Sequence, residues 1–189
     1  MKKIILFAAM AVMSVVASAQ DIKFGYVDFN EVIMLMPEMD QARVTLEENQ
    51  KTNEEILMAM YEEYQTKTQQ YQQKAATWTP AIRESKEREI MDIENRLQQT
   101  QQSLQQEMQQ LQNSLQAPIY EKAQNTISEI AKAKGVAAVF EVGSLLYFDP
   151  AQLVDLTPEV RTALGIEEGR TLETLQAELQ AKAQAAQMM

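Results

Sequence analysis

The feature that most constrains the fold is a pair of long segments, 38–77 and 81–116, that contain neither glycine nor proline. Glu, Gln, Lys, Met and Ala dominate both segments, and all of these residues favour helix. Between them, Pro80 disfavours a helical residue before it and suits the first turn of a new helix, which Thr79 can cap. Each helix would be roughly 55–60 Å long, and helices of that length need lengthwise packing. The sequence therefore predicts an antiparallel helical hairpin, or coiled-coil arm, over residues 38–117.

Apolar residues in both segments recur in alternating steps of four and three, which is typical of a heptad seam. Towards the start of the outgoing segment, Gln50 and Asn53 fall on the extrapolated seam, and polar seam positions lower stability. We therefore expect arms that are helical but pliable. The predicted outgoing seam consists of Leu57, Tyr61, Tyr64, Thr68, Tyr71, Ala75 and Trp78. The predicted return seam consists of Ile90, Ile93, Leu97, Thr100, Leu104, Met108, Leu111 and Leu115.

The composition argues against an enzyme. The chain has no Cys and no His, so it lacks thiolate zinc sites and the commonest general base and metal ligand. With only 5 Gly and 5 Pro in 189 residues, a mostly helical chain is favoured over a loop-rich one. No phosphate-binding loop or EF-hand spacing is present, and the charged residues mostly occupy solvent-facing helical positions. We predict no catalytic residue, no metal and no cofactor.

Residues 1–19 have the pattern of an export signal. Lys2 and Lys3 precede an apolar run over 4–16, and Ala17-Ser18-Ala19 supplies small residues for cleavage before Gln20. The alternative is a membrane anchor, but the run is too short and ends in a good cleavage site. Loss of two lysines would change the formal charge from −10 to −12, so we expect no general attraction to nucleic acid or anionic lipid.

Residues 20–37 and 118–165 are predicted to form a β-rich body. Residues 21–29 alternate as a strand, and Asn30 resembles the N-cap of a short apolar turn. On the return side, Pro118 should kink the helix where it re-enters the body, and Gly135 should end that helix.

The rest of the body is predicted as a β-hairpin followed by short helices. A strand over 136–142 leads into a primed turn at Gly143-Ser144 and a second strand over 145–148. A short helix is expected over 150–154. Another should begin at Thr157 as N-cap with Pro158 in its first turn, and Gly165 should stop it. The tail, 166–189, is expected to be weakly helical through Leu172, Leu175, Leu179 and Ala183, and partly disordered.

Three strands at most make a small core for such long arms, and small cores with open sheet edges are commonly completed by oligomerisation. We therefore predict a homo-oligomer assembled through the body. The residues expected to build this oligomerisation body are Phe24, Tyr26, Phe29, Val139, Phe140, Leu146, Tyr147 and Phe148.

The chain resembles the Skp/OmpH family of periplasmic chaperones over nearly all of residues 22–164. The matching motifs are the export signal, the strand 24–28, the long hairpin, Pro118-Ile119-Tyr120-Glu121-Lys122 with Ala133-Lys134-Gly135, and Tyr147-Phe148-Asp149 with Asp155-Leu156-Thr157-Pro158-Glu159-Val160.

The resemblance implies a periplasmic trimer with a β-rich body and three helical arms around a cavity. Such a trimer holds unfolded outer-membrane proteins without ATP. Better-known members are basic, with cationic arm tips. Here the tip mixes cations such as Lys74 and Arg83 with Glu84 and Glu87, so a lipopolysaccharide or phospholipid site is not carried over. A structural adaptor or spacer in the cell envelope, bridging two components through the hairpin, is the alternative function.

The arm also supplies candidates for client binding, because Met and Tyr side chains suit promiscuous contact. The alternative is that the tyrosines form the hairpin's own seam, since aromatic residues at helical spacing usually belong to a core. By the same spacing, Met58 and Met60 should lie off the seam, and they are the stronger candidates. The candidate set is Met58, Met60, Tyr61, Tyr64, Tyr71 and Trp78.

Overall fold

A computed structural model describes residues 22–187 and the side chains of residues 22–185. The expected signal peptide, 1–19, lies outside this range. The described chain forms two compact units: Met36–Glu121, and the residues on either side of it. Its elements, in order, are β1 (Lys23–Val27), α1 (Phe29–Leu35), α2 (Pro37–Lys74), α3 (Pro80–Ala133), β2 (Val136–Glu141), β3 (Leu153–Asp155), α4 (Thr157–Ala163) and α5 (Leu172–Gln187).

The first unit is the predicted helical hairpin. Helix α2 has 38 residues and α3 has 54, and a single 3₁₀ turn, Ala75–Thr77, follows α2. As predicted, Thr79 caps the return helix: its Oγ1 accepts a hydrogen bond from the Ile82 amide at 3.4 Å. Pro118 lies inside α3, three residues before the end of this unit, and the helix continues to Ala133. The kink expected there stays a prediction.

The predicted seam of the return helix is confirmed by burial. Ile93 and Leu97 are buried, and the other six positions of the predicted return seam are half-buried. The outgoing seam is less uniform, because Tyr61 is exposed whereas the other six predicted positions are half-buried. Since partly covered positions recur at helical spacing along both helices, each helix has a face for lengthwise packing.

The second unit, the body, contains a three-stranded sheet in the order β2-β1-β3, and both pairings are parallel. Gly25 in the central strand lies opposite Val139 on one side and Val154 on the other. A Cβ atom built on Gly25 would lie only 3.1 Å from the Val154 carbonyl oxygen. The close approach of the two strands therefore favours glycine at this position, because a Cβ atom would require the neighbouring backbone to shift by a few tenths of an ångström.

The predicted β-hairpin at Gly143-Ser144 is wrong. Residues Val142–Ser144 form a 3₁₀ turn, the segment 145–152 is irregular, and the third strand is Leu153–Asp155. A primed two-residue turn needs positive φ, and Gly143 has none. The strand 153–155 also replaces the short helix expected over 150–154. It pairs parallel with β1 and so occupies the sheet edge next to that strand.

Two predicted helix caps are corrected. Helix α1 begins at Phe29, and Asp28 caps it, because its Oδ1 accepts from the Glu31 amide at 2.8 Å; Asn30 lies within the helix. Thr157 is the first residue of α4 rather than its cap. Its Oγ1 accepts from the Asp28 amide at 3.0 Å, so this hydroxyl joins α4 to the start of α1.

Three glycines with positive φ mark chain reversals in the body. Gly135 (φ 66°) follows α3 and Gly165 (φ 73°) follows α4, as the sequence predicted. After Gly169 (φ 85°) the chain enters α5, which has 16 residues. The helix expected in the tail is thus present as α5, and Leu175 in its first turn is buried; the partial disorder expected there stays a prediction.

The core of the body lies beneath α1 and α4 and uses side chains from the sheet and from all its helices. No helix among the residues that the structure describes is both long and apolar enough to cross a membrane. The buried apolar residues of the body are Val27, Val32, Ile33, Leu35, Ala123, Ala131, Leu156, Val160, Leu164, Ile166 and Leu175.

Candidate functional site

The distal half of the hairpin is held by polar contacts between its two helices. Near the middle of the hairpin, the Tyr61 hydroxyl on α2 accepts a hydrogen bond from Gln101 Nε2 on α3 at 3.1 Å. Closer to the tip, Glu63 on α2 accepts a hydrogen bond from Arg96 on α3 at 2.6 Å. Further towards the tip, Lys67 pairs with Glu89. These contacts show that the helices run antiparallel and fix their register.

Glu89 pairs with two lysines, one on each helix of the hairpin. It accepts hydrogen bonds from Lys67 on α2 and from Lys86 one turn earlier on α3, the second at 2.7 Å. The hydrogen bonds from Lys67 and then Lys86 lower the pKa of Glu89 to about 2. Glu89 in turn raises the pKa of Lys67. Glu89 therefore stays ionised in mild acid and links the two helices near the tip.

The hydroxyls of Tyr64 and Tyr71 bond across the hairpin. Tyr64 donates to Glu94 at 2.6 Å, and Tyr71 donates to Glu87. The hydrogen bond to its glutamate is the main cause of the raised pKa of each hydroxyl. The Tyr71 ring also meets the Trp78 ring edge-on, with centroids 5.9 Å apart. These three half-buried side chains contribute to the hairpin's own interface, which is the alternative that the sequence left open.

Polar side chains line part of the seam closer to the body. Asn53 is half-buried, as its predicted seam position implies, and it donates to Asn49 Oδ1 at 3.1 Å. Gln50 is exposed and donates to Glu54 instead, so Asn49 and not Gln50 shares the seam face with Asn53. Two neighbouring asparagines interrupt the apolar seam at this level.

The two candidate methionines have different surroundings. The Met58 side chain is 63% exposed, as predicted for a residue off the seam. Met60 is half-buried and one helical turn before Tyr64, so it lies on the seam side of α2, and its predicted position off the seam is wrong. Tyr61, predicted as a seam residue, is 45% exposed. Of the candidate client-binding residues, Met58 and Tyr61 are therefore the most accessible.

The sequence reading overlooked a second exposed methionine. Met91 on α3 is 58% exposed, whereas its neighbours Ile90 and Ile93 are half-buried and buried. Two residues before the buried Ile93, it is turned about 200° from the seam at 100° per residue. That spacing would have identified Met91 as an outward apolar side chain. Other exposed apolar side chains of this unit include Val44, Ile56, Ile82 and Tyr120.

On the body, all eight predicted oligomerisation residues are half-buried or exposed in the single chain. Phe24 and Phe140 are about two-fifths exposed, and their ring centroids are 6.0 Å apart. Tyr26 contacts Phe148 at 4.9 Å between centroids, and burial is the main cause of the raised pKa of its hydroxyl. Phe29 and Val139 are half-buried.

Leu146 and Tyr147 lie in the irregular segment after β2 rather than in the strand that was predicted there. Both are almost fully exposed, at 107% and 86%. Two adjacent large apolar side chains that are almost fully exposed to solvent form an apolar patch, and such patches are typical of interaction sites.

A shallow groove of about 560 Å³ lies beside the outer edge of the sheet. The whole of β2 lines it, together with Val27, Phe29 and the side chains of α3 from Gln124 to Lys132. β2 is an edge strand, so within the described sheet it pairs on one side only, and apolar side chains make up much of the groove.

A long helical hairpin inserted between the first two strands of a small parallel sheet defines the class of protein. A family model described as outer membrane protein (OmpH-like) matches residues 23–164. That match covers most of the chain, so the protein belongs to the OmpH-like family. A comparison with curated proteins found no significant match.

Membership implies a periplasmic, chaperone-type function related to outer membrane proteins. The family is known as a non-enzymatic one. Within residues 22–187 no group of three or more acidic side chains is arranged to hold a metal ion.

Proposed function

We propose that the protein is an ATP-independent periplasmic holdase, which binds unfolded outer-membrane proteins between helical arms and prevents their aggregation. The observation that carries this proposal is the outward exposure of Met58 and Met91, on the sides of the two helices that do not form the seam. Thioether side chains adapt to partners of different shape, and scattered apolar contacts suit a client without fixed structure.

We further propose that the body assembles the chain into a homo-oligomer, a trimer by family resemblance. The support is the exposed apolar surface of Phe24, Phe140, Leu146 and Tyr147 and the groove along β2. Burying such surface between copies would complete the small core and cover the open sheet edge.

The decisive experiment measures the solution mass of the mature chain, alone and with a urea-unfolded outer-membrane barrel. A trimer that captures the barrel as a soluble complex supports the holdase. A monomer or dimer that leaves the barrel to aggregate contradicts the trimeric cavity.

The client surface is tested by Met58→Glu together with Met91→Glu. We expect clearly weaker suppression of aggregation, because each change places a charge where an apolar contact would form. The matched control is Gln65→Glu with Gln99→Glu, which adds the same charge at two exposed polar positions of the same helices. Equal suppression by both double variants would remove these methionines from the client surface.

The second candidate function is a structural adaptor in the cell envelope. The observation that favours it is the tip, where Ile82 is 45% exposed near the half-buried Trp78. A defined stoichiometric envelope partner that is lost with Ile82→Glu would favour the adaptor, provided that aggregation suppression is absent.

A further inference from the structure

We propose that residues 165–175 are a strap that holds α1 against α4, and that Arg161 is the residue that fastens it. The strap begins one residue after the family match ends, so the family does not account for it. This inference does not depend on the holdase proposal.

Arg161 is the centre of the arrangement. Its guanidinium pairs with Glu31 on α1 and also donates to the backbone carbonyl of Arg170 in the strap. The side chains of Arg161 and Glu31 are only 17% and 25% exposed. A guanidinium can serve both acceptors at once because it presents several donors in a fixed plane. Arg161 therefore connects the strap, nine residues further along the chain, with α1, which lies 130 residues earlier.

The backbone at the start of the strap is equally well defined. The Gly165 amide donates to the Thr162 carbonyl at 3.1 Å, and the Ile166 amide donates to the Arg161 carbonyl at 3.0 Å. This pair of bonds is the Schellman motif, which ends a helix and turns the chain back. The turn buries Ile166 beside α4, so the strap starts in a fixed direction.

The far end of the strap is capped and anchored. Thr171 and Thr174 cap the first turn of α5 reciprocally, each hydroxyl accepting from the other's amide, at 2.9 and 3.2 Å. Leu175, the next residue, is 4% exposed, and α5 packs on α1. Beyond Leu175 the described side chains of α5 are all exposed, with Leu179 at 40%. The strap therefore ends at Leu175.

The strap contacts α1, and α1 is the link between the sheet and the outgoing helix of the hairpin. Helix α1 has only seven residues and leads directly from β1 into the hairpin at Met36 and Pro37. A helix this short is not stable without tertiary contacts. Arg161, through Glu31, and α5, which the strap positions, supply such contacts, and so keep ordered the connection from which the outgoing arm emerges.

Limited trypsin digestion of the full mature chain tests this directly, because the carbonyl that Arg161 holds belongs to the bond after Arg170. In the wild type we expect early cleavage after the exposed Lys182 and slow cleavage after Arg170. In Arg161→Met, cleavage after Arg170 and hydrogen exchange in residues 29–35 should both accelerate at least about tenfold. Arg161→Lys keeps the charge but not the fork, so its rates should be intermediate.

The control is Lys134→Met, which breaks the ion pair with Glu159 elsewhere on the body and should change neither rate. A second variant, Leu175→Ala, releases the strap without touching Arg161 and should accelerate the same two rates. If Arg161→Met does not fold, Leu175→Ala decides the question. Unchanged cleavage after Arg170 and unchanged exchange in α1 in the folded variants would overturn the strap.

Discussion

Neutralising Glu89 should loosen the tip of the hairpin in a way that depends on pH. Glu89→Gln keeps the shape of the side chain but removes the charge that pairs with Lys67 and Lys86. Because Lys67 is on the other helix, the change weakens a link between the helices as well as a contact within one turn. We expect the tip to open more easily, while the helices themselves remain formed.

The free energy of unfolding lost in Glu89→Gln can be bounded from the pKa of Glu89, which folding lowers from 4.5 to about 2. For a fully buried group that difference would correspond to about 3 kcal/mol. Glu89 is one-third exposed, and exposed ion pairs are usually worth no more than about 1 kcal/mol because water and salt screen them. We therefore expect Glu89→Gln to cost about 1 kcal/mol at pH 7 in low salt.

The sign of the pH dependence is fixed by the direction of the pKa shift. A carboxylate whose pKa is lowered by folding stabilises the folded state above its unfolded pKa, near 4.5, and this stabilisation is lost as the pH falls towards 2. The difference between wild type and Glu89→Gln should be constant above about pH 5, shrink below it and vanish below about pH 2. It should also shrink in 1 M salt.

The assay is urea unfolding followed by the fluorescence of Trp78, which is the only tryptophan and lies against Tyr71 at the tip. Glu84→Gln is the control, because its pair with Arg88 is long, at 3.9 Å, and mostly exposed. No difference between Glu89→Gln and wild type at pH 7, or a difference that persists unchanged at pH 2, would refute the reasoning.

Three further changes test the packing. Gly25→Ala should destabilise the body by about 1–3 kcal/mol in urea unfolding, because its Cβ would be forced against the Val154 carbonyl; a neutral result would mean that the strands can separate. Ile93→Ala should lower the free energy of unfolding of the hairpin by about 2–4 kcal/mol, whereas the exposed Met91→Ala should cost under about 0.5 kcal/mol; similar losses would contradict the assigned seam. Asn53→Leu should slow amide exchange near the asparagine pair, since a polar seam position lowers stability, and faster exchange would show that this pair stabilises the hairpin.

The hairpin could be predicted almost completely because its signal is long and periodic. Two proline-free segments, a tip at Pro80 and an apolar repeat each point to the same structure. The error at Met60 came from extrapolating one heptad frame through Tyr61, whereas the half-buried positions follow a frame through Asn53, Met60 and Tyr64. When the heptad frame shifts by one residue, a side chain assigned to the seam can instead lie partly exposed, as Tyr61 does.

The body was harder to predict because its decisive contacts are long-range. The strand 153–155 has only three residues and no alternation, so it carries no strand signal of its own and exists through pairing with β1. Thr157-Pro158 has the local pattern of a helix start, yet the hydroxyl is used by the Asp28 amide, 129 residues earlier in the chain. Exposure of Met91 could have been predicted from its spacing, but the role of Arg161 could not, because both of its partners depend on the folded body.

The parallel pairing of β1 with β2 also has a consequence for how the chain folds. Its partners are separated by about 110 residues, and closing a flexible loop of that length costs about 4 kcal/mol of chain entropy. The hairpin removes most of this cost, because it can zip from the turn at Ala75–Thr77 through contacts that are each local to the growing end. Zipping brings the two ends of the insertion back together before the strands meet. We therefore expect the arm to form before the sheet that carries it.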